Sequence, residues 1–340
     1  MQVIYSSAHE GHSPGQFVVA GCFLENPEVA ERAARLLAAV RAAGHEIVAP
    51  DTFGAGPCRE VHSADYLDFL AHAHALWQRV KGASAEVLPS AHPGRRMTGR
   101  PQHIIGLAGY HMADAACPIG AGTWEAAQVS CDIALTAAAK VLDGERVAYG
   151  LCRPPGHHAF SDMAGGFCFI NNVAVAAEYC RKLGAERVAI LDIDVHHGNG
   201  TQGIFYGRGD VLFVSVHADP SAFYPFFAGY AAERGAGAGE DANLNLPVAL
   251  GAGNDAYIAA INDGCAKIRA FQPEAVLVSL GFDAYEGDPL SPLKVTSGGF
   301  EAAGKAIAAL ATPTVLIQEG GYDCQTLGRN LMAYLTGFLG

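Results

Sequence analysis

The stretch LDIDVHHGNG, residues 191–200, follows a run of apolar residues and places Asp192, Asp194, His196 and His197 almost side by side. Left unpaired in an interior, each of these groups would be strongly unfavourable. Residues two apart on a strand face the same way, so Asp192, Asp194 and His196 share one face if the strand continues that far. Asp194 and His196 are then an adjacent pair of candidate metal ligands. A third ligand must come from another strand end, and Asp283, just beyond AVLVSLG (275–281), is the best placed. Two carboxylate oxygens, one imidazole and an open position for water describe a catalytic rather than a structural zinc site. Mixed oxygen and nitrogen ligation also suits iron, cobalt or manganese. Asp192 either orients an imidazole or helps bind a monovalent cation.

Other strand ends supply complementary chemistry. RPPGHH (153–158) presents His157 and His158 behind a stiff Pro-Pro-Gly turn. Imidazole is suited to taking a proton from an attacking water and returning one to a leaving group near neutral pH. EGGY (319–322) offers Glu319 and the phenol of Tyr322, a candidate donor to a developing oxyanion. His217 and Asp219 lie at the end of VLFVSVH (211–217). In GGFCFINN (165–172), Phe167 either lines a channel or fills core.

These groups need a scaffold that delivers strand ends to one rim. Seven apolar runs read as strands: 3–6, 46–50, 147–151, 188–194, 211–217, 275–281 and 314–319. Most are continuous rather than alternating, as expected of parallel strands covered on both faces. Between them lie helical patterns at 124–142, 172–183, 255–270, 299–311 and 326–338, and one at 26–44 with Asn26 as cap, Pro27 first and Gly44 at its end. The alternation predicts one three-layer α/β domain with a mainly parallel central sheet and helices on both faces. Ligands of such sheets bind beyond the carboxyl ends of the strands. Residues 81–122, rich in Gly, Pro, His and Arg, show little periodicity, and such a segment is usually functional or part of an interface.

Bulk properties narrow the function. The chain has 340 residues, half of them hydrophobic and 16% charged, which supports a large core. Its net charge of −12 disfavours nucleic acid and anionic membranes and suits a cationic ligand. No signal peptide and no membrane-spanning run is evident. Nine cysteines, without a C-x-x-C pair, fit free thiols in a reducing cytoplasm.

RPPGHHA, GGFCFINN, DIDVHHGNGTQ, SLGFDA with GDPL, and EGGY, in this order and spacing, resemble the zinc-dependent histone deacetylase family, most of all its bacterial acetylpolyamine amidohydrolase branch. The resemblance covers nearly the whole chain. It implies an arginase/deacetylase-like fold and hydrolysis of an N-acetyl amide to acetate and a free amine. Zn2+, with Fe2+ or Co2+ as alternatives, would be held by Asp194, His196 and Asp283. His158 would be the general base beside His157, with Asp192 behind the first imidazole and Asn199 behind the second. Tyr322 would polarise the acetyl carbonyl. Gly166, Phe167, Tyr224 and Leu290 would form the substrate channel. A structural K+ or Na+ would be bound by backbone oxygens of Asp192, Asp194, His196 and Val216 and by the Ser215 hydroxyl.

The segment 81–122 matches an insertion that narrows the entrance and builds a homodimer in acetylpolyamine enzymes. Where those enzymes have an acid proposed to meet the polyamine ammonium, this chain has Ala116, with Asp114 nearby as a substitute. The expected substrate is therefore a small cationic acetylated amine of the N-acetylputrescine or acetylcadaverine type. Acetyl-lysine in proteins, or another small acetylated amine, is the alternative. A non-catalytic sensor of acetylated ligands would need no proton shuttle, and an arginase-like two-metal hydrolase would require His157 and Asp192 as further ligands.

Overall fold

The computed structural model describes residues 1–340. Ten strands form: β1 (Gln2–Ile4), β2 (Gln16–Val19), β3 (Cys22–Glu25), β4 (Glu46–Val48), β5 (Val147–Gly150), β6 (Val188–Asp192), β7 (Val211–Ala218), β8 (Asn243–Val248), β9 (Ala275–Leu280) and β10 (Thr314–Gln318). Eight make one sheet in the order β4-β1-β5-β10-β9-β6-β7-β8. Every pairing in it is parallel. All seven expected strands are in it, and β8 joins them at the edge. The alternating burial of β8, with Leu244 and Leu246 only partly covered, is the weaker pattern of an edge strand.

The helices are α1 (Ala30–Ala42), α2 (Gly56–Arg59), α3 (Ala64–Trp77), α4 (Ile104–His111), α5 (Thr123–Leu142), α6 (Asn172–Lys182), α7 (Asn199–Phe205), α8 (Asn254–Phe271), α9 (Ser297–Ala308) and α10 (Leu327–Leu339). Side chains of α1, α8, α9 and α10 pack on one sheet face through Leu36, Ile261, Phe300 and Leu331. On the other face, α5 and α6 bury Ile133, Ala137, Val173 and Ala177 against Ile4, Ile190, Phe213 and Val315. Helix α5 is covered on two sides, because Ala127, Cys131 and Leu135 also pack into an outer cluster with Tyr66, Phe69, Ile104 and Val87. That explains its nearly continuous apolar sequence.

Three local expectations are corrected. Strand β6 stops at Asp192 rather than running to residue 194, so Asp194 and His196 stand on the following loop. The first helix begins after Val29, while Asn26 caps the preceding turn by accepting from Glu28 N at 2.9 Å. Residues 81–122 are not featureless: they contain α4 and a bridge between Val87 and Ile119. Their buried side chains Val87, Ile104, Ala108, Met112, Cys117 and Ile119 are spaced too irregularly to show a period.

Candidate active site

The polar groups meet where the carboxyl ends of β5, β6, β9 and β10 lie side by side at the sheet centre. The loop after β6 folds by hydrogen-bonding to its own carboxylates. Asp192 Oδ1 accepts from Asp194 N at 3.1 Å, and Asp194 Oδ1 accepts from His196 N at 2.9 Å. Asp283 reaches across from the loop after β9 and accepts from Val195 N at 3.0 Å. Asp194 Oδ2 accepts from Gly320 N at 2.8 Å, tying in the loop after β10. A Cβ at Gly320 would strike the carboxylates of both Asp283 and Asp194, so only glycine fits there.

These constraints aim three donors at one point. Nδ1 of His196 lies 3.1 Å from Asp194 Oδ1 and 3.2 Å from Asp283 Oδ2. One ligand atom from each of the three residues falls within 4.8 Å of the others, and all three residues are buried. Burial opposes protonation of His196, yet the two carboxylates outweigh it and raise the imidazole to about 9. Two buried acids around one imidazole form a pocket that favours positive charge, and the donor set fits a divalent cation.

The two other imidazoles differ electrically. His157 Nδ1 lies 2.9 Å from Asp192 Oδ2, and burial alone would lower its pKa. Asp192 and Asp194 together reverse that and hold His157 well above the usual histidine range. His158 is pushed well below that range by burial and by the charges of His157 and His196. Its Nδ1 lies 2.7 Å from Asn199 Oδ1, an acceptor, so Nδ1 carries the proton and Nε2 is free to accept one. The ring centroids of His157 and His158 are 4.0 Å apart. Glu319, fully buried, accepts from Gly156 N at 2.7 Å and His157 N at 3.2 Å, fixing the turn that carries both rings.

Above this floor lies a cavity of about 310 Å³. Gly166, Phe167, Tyr224, Leu290 and Tyr322 all line it, together with His158 and His196. Phe223 stacks on His196 with ring centroids 5.0 Å apart, and Tyr224 stands edge-on to His158 at 5.0 Å. A Cβ at Gly166 would collide with the His158 ring, so glycine there lets backbone form the wall. Burial holds the Tyr322 phenol well above its usual pKa, which keeps it a hydrogen-bond donor. Ser215, opposite Asp192 in the β6–β7 register, and its neighbour Val216 are buried. The Ser215 hydroxyl lies 2.8 Å from Nδ1 of His217.

Residues 24–338 match the histone deacetylase domain family. The chain belongs to that family. It is 44% identical over its whole length to acetylpolyamine amidohydrolase 1 of Pseudomonas aeruginosa, covering 99% of that protein. It is 43% identical to the acetylpolyamine amidohydrolase of Mycoplana ramosa, with both chains covered completely. The crystal structure of the acetylpolyamine aminohydrolase from Burkholderia pseudomallei superposes with a TM-score of 0.96 at 44% identity, covering 99% of this chain and 98% of that one. The family places this chain among hydrolytic deacetylases, and the arginase/deacetylase-like architecture read from the motifs is the one observed.

Several residues at the site escaped the sequence reading. Arg32 donates to the carbonyls of Glu319 and Gly321, and its guanidinium carbon lies 4.7 Å from the centre of the Tyr322 ring. Glu28 accepts from Arg32 Nη1 and from Arg153 Nε, both at 2.8 Å, deep in the interior. Glu28 and Arg32, four apart on a helical pattern, carry the sequence signature of an ordinary surface pair. Asp288 Oδ2 accepts from Tyr322 N at 2.6 Å and Oδ1 from Leu290 N at 2.9 Å, joining the phenol loop to the channel wall. The β2–β3 hairpin contributes Phe17, Val18, Val19 and Ala20 to the cavity. Its short strands turn at Ala20 and Gly21, both with positive φ. That left-handed turn, with alanine in a position usually held by Asn or Gly, gave no sequence signal.

Proposed function

We propose that this protein hydrolyses small N-acetylated polyamines of the N-acetylputrescine and acetylcadaverine type to acetate and the free amine. The observation that carries the reading is a three-donor cation pocket beside His158, whose Nδ1 faces Asn199 Oδ1, at the floor of one narrow apolar channel. Asp194, His196 and Asp283 would hold a zinc ion, with Fe2+ or Co2+ as chemically acceptable substitutes. When bound, the ion supplies Lewis acidity to the acetyl carbonyl and acidity to the attacking water.

The chain's own groups do the rest. Nε2 of His158 takes the proton from water, because its Nδ1 is committed to Asn199. His157, kept cationic by Asp192, holds the neighbouring imidazole neutral until that transfer. Tyr322 donates to the carbonyl oxygen as negative charge develops there. Protonated His158 then delivers its proton to the departing amine nitrogen. Phe167, Tyr224 and Leu290 confine the substrate's methylene chain while Gly166 brings backbone close to it.

Ser215 and backbone oxygens of Asp192, Asp194, His196 and Val216 would bind a structural K+ or Na+. The homodimer expected through residues 81–122 is supported by residues 90–100, an unbroken run of exposed positions. Nine free thiols, seven of them buried, support a reducing cytoplasm. No helix is long and apolar enough to cross a membrane.

The test is acetate release by protein stripped of metal and reloaded with zinc, iron or cobalt, across acetylated diamines and acetyl-lysine peptides. Metal-dependent release with kcat/KM higher for the diamines is the expected result. Strong preference for the peptides would move the assignment to a protein deacetylase, and binding without turnover to a sensor.

A further inference from the structure

One carboxylate ties the loop that carries the phenol to the turn that forms the channel wall. Asp288, on the loop after β9, is 6% exposed and does not line the cavity, whereas Tyr322 and Leu290 both do. Its Oδ2 accepts from Tyr322 N at 2.6 Å and Asp323 N at 3.1 Å, and its Oδ1 accepts from Leu290 N at 2.9 Å. Its own backbone is held as well: Asp288 N donates to Tyr285 O at 3.0 Å, and its carbonyl accepts from Ser291 N at 3.1 Å. A buried carboxylate is costly unless bonded, and its bonds are stronger than those of a neutral acceptor.

The phenol needs such an anchor. Tyr322 follows Gly320 and Gly321, and Gly321 has φ +119°, a conformation open to glycine. Two successive glycines leave the chain free to swing the residue after them. Around the ring, the Arg32 guanidinium carbon lies 4.7 Å from the ring centre and Phe167 stands edge-on at 5.6 Å. Face and edge contacts of this kind are less directional than hydrogen bonds, and Asp288 supplies the directional restraint at the backbone of Tyr322 itself.

Resting on the amide-hydrolysis reading above, we propose that Asp288 is a positioning residue for turnover, acting through Tyr322. Its carboxylate sets the phenol loop and the Leu290 wall as one unit, so the oxyanion donor stands at a fixed place relative to the channel. A donor displaced by about 1 Å forfeits up to about a hundredfold in rate.

The competing role is that of a loop strut needed only for stability. The experiment measures kcat and KM for N-acetylputrescine with zinc-loaded protein carrying Asp288→Asn, Tyr322→Phe, or both. Asp288→Asn alone is expected to lower kcat between about tenfold and a hundredfold with little change in KM. In the Tyr322→Phe background the same substitution should change kcat less than about threefold, because no phenol is left to place. Asp288→Glu keeps the charge but shifts the carboxylate by one methylene, and should lose kcat as Asp288→Asn does. In the unmodified protein, which needs no variant to fold, the Tyr322 and Asp323 amides should exchange slowly with deuterium.

A kcat loss repeated in full in the Tyr322→Phe background, normal turnover by Asp288→Asn or Tyr322→Phe, or amide exchange at residues 322 and 323 as fast as in a free peptide would each overturn the positioning role and leave hydrolysis standing. Failure of the loaded, unmodified protein to release acetate from any acetylated amine would instead overturn the hydrolase reading beneath it, and the positioning role with it.

Discussion

The floor and the mouth of the channel are built on opposite principles. At the floor, Asp192, Asp194, Asp283 and His157 are at most 2% exposed, and each side chain is bonded to another element. At the mouth, Val19 is 46% and Phe226 47% exposed, and the lining, Asp114 apart, is mostly apolar side chains from the β2–β3 hairpin, residues 81–122 and the loop after β7. Hydrogen bonds are directional, so a bonded floor holds one geometry. Apolar contact is non-directional and tolerates change. On the proposed function the molecule fixes its chemistry on the sheet and leaves selection to surface loops, which is where such folds accommodate variation.

The division can be broken by mutation, starting where the effect on turnover should be largest. Tyr322→Phe removes the proposed oxyanion donor from the floor and is expected to lower kcat by roughly two to three orders of magnitude with little change in KM. Turnover close to that of the unmodified protein would take the phenol out of the reaction.

The buried cluster behind Tyr322 comes next, because it supports the floor without touching the cavity. Glu28→Ala strands Arg32 and Arg153 in the interior, where breaking a buried pair costs about 3–5 kcal/mol. Denaturant unfolding should register that loss. A change smaller than a surface pair would give, about 1 kcal/mol, would mean that these guanidinium groups find water instead.

The mouth should respond least. A half-exposed phenyl ring offers a bound chain about 1 kcal/mol of apolar burial, so Phe226→Ala is expected to raise KM about fivefold and leave kcat nearly as it was. A fall in kcat comparable to that of Tyr322→Phe would erase the distinction between floor and mouth.

Legibility in the sequence follows the same line. The parallel strands show because each is covered on both faces and so reads as an unbroken apolar run, as in AVLVSL of β9. Asp194, His196 and Asp283 show because charged groups at the ends of such runs demand a partner. The two imidazoles of RPPGHH read as a pair, but which is neutral depends on Asp192 on one side and Asn199 on the other, from different elements. Arg32 and Glu28 stayed hidden because an i,i+4 pair looks the same in the core as on a surface. Asp114 stood in view only as a substitute for an acid missing at Ala116, and its bonds to Tyr224 and Gly166 join positions far apart in the chain.

Local chemistry thus determined the strand runs, the candidate cation ligands and the candidate proton-transferring groups, since each is carried by residue type and short-range spacing. Folding decided what no spacing encodes: which histidine stays neutral, which arginine supports the phenol, and that a single carboxylate faces an otherwise uncharged wall. Those properties depend on distances between segments, and a distance exists only once the sheet has brought the segments together.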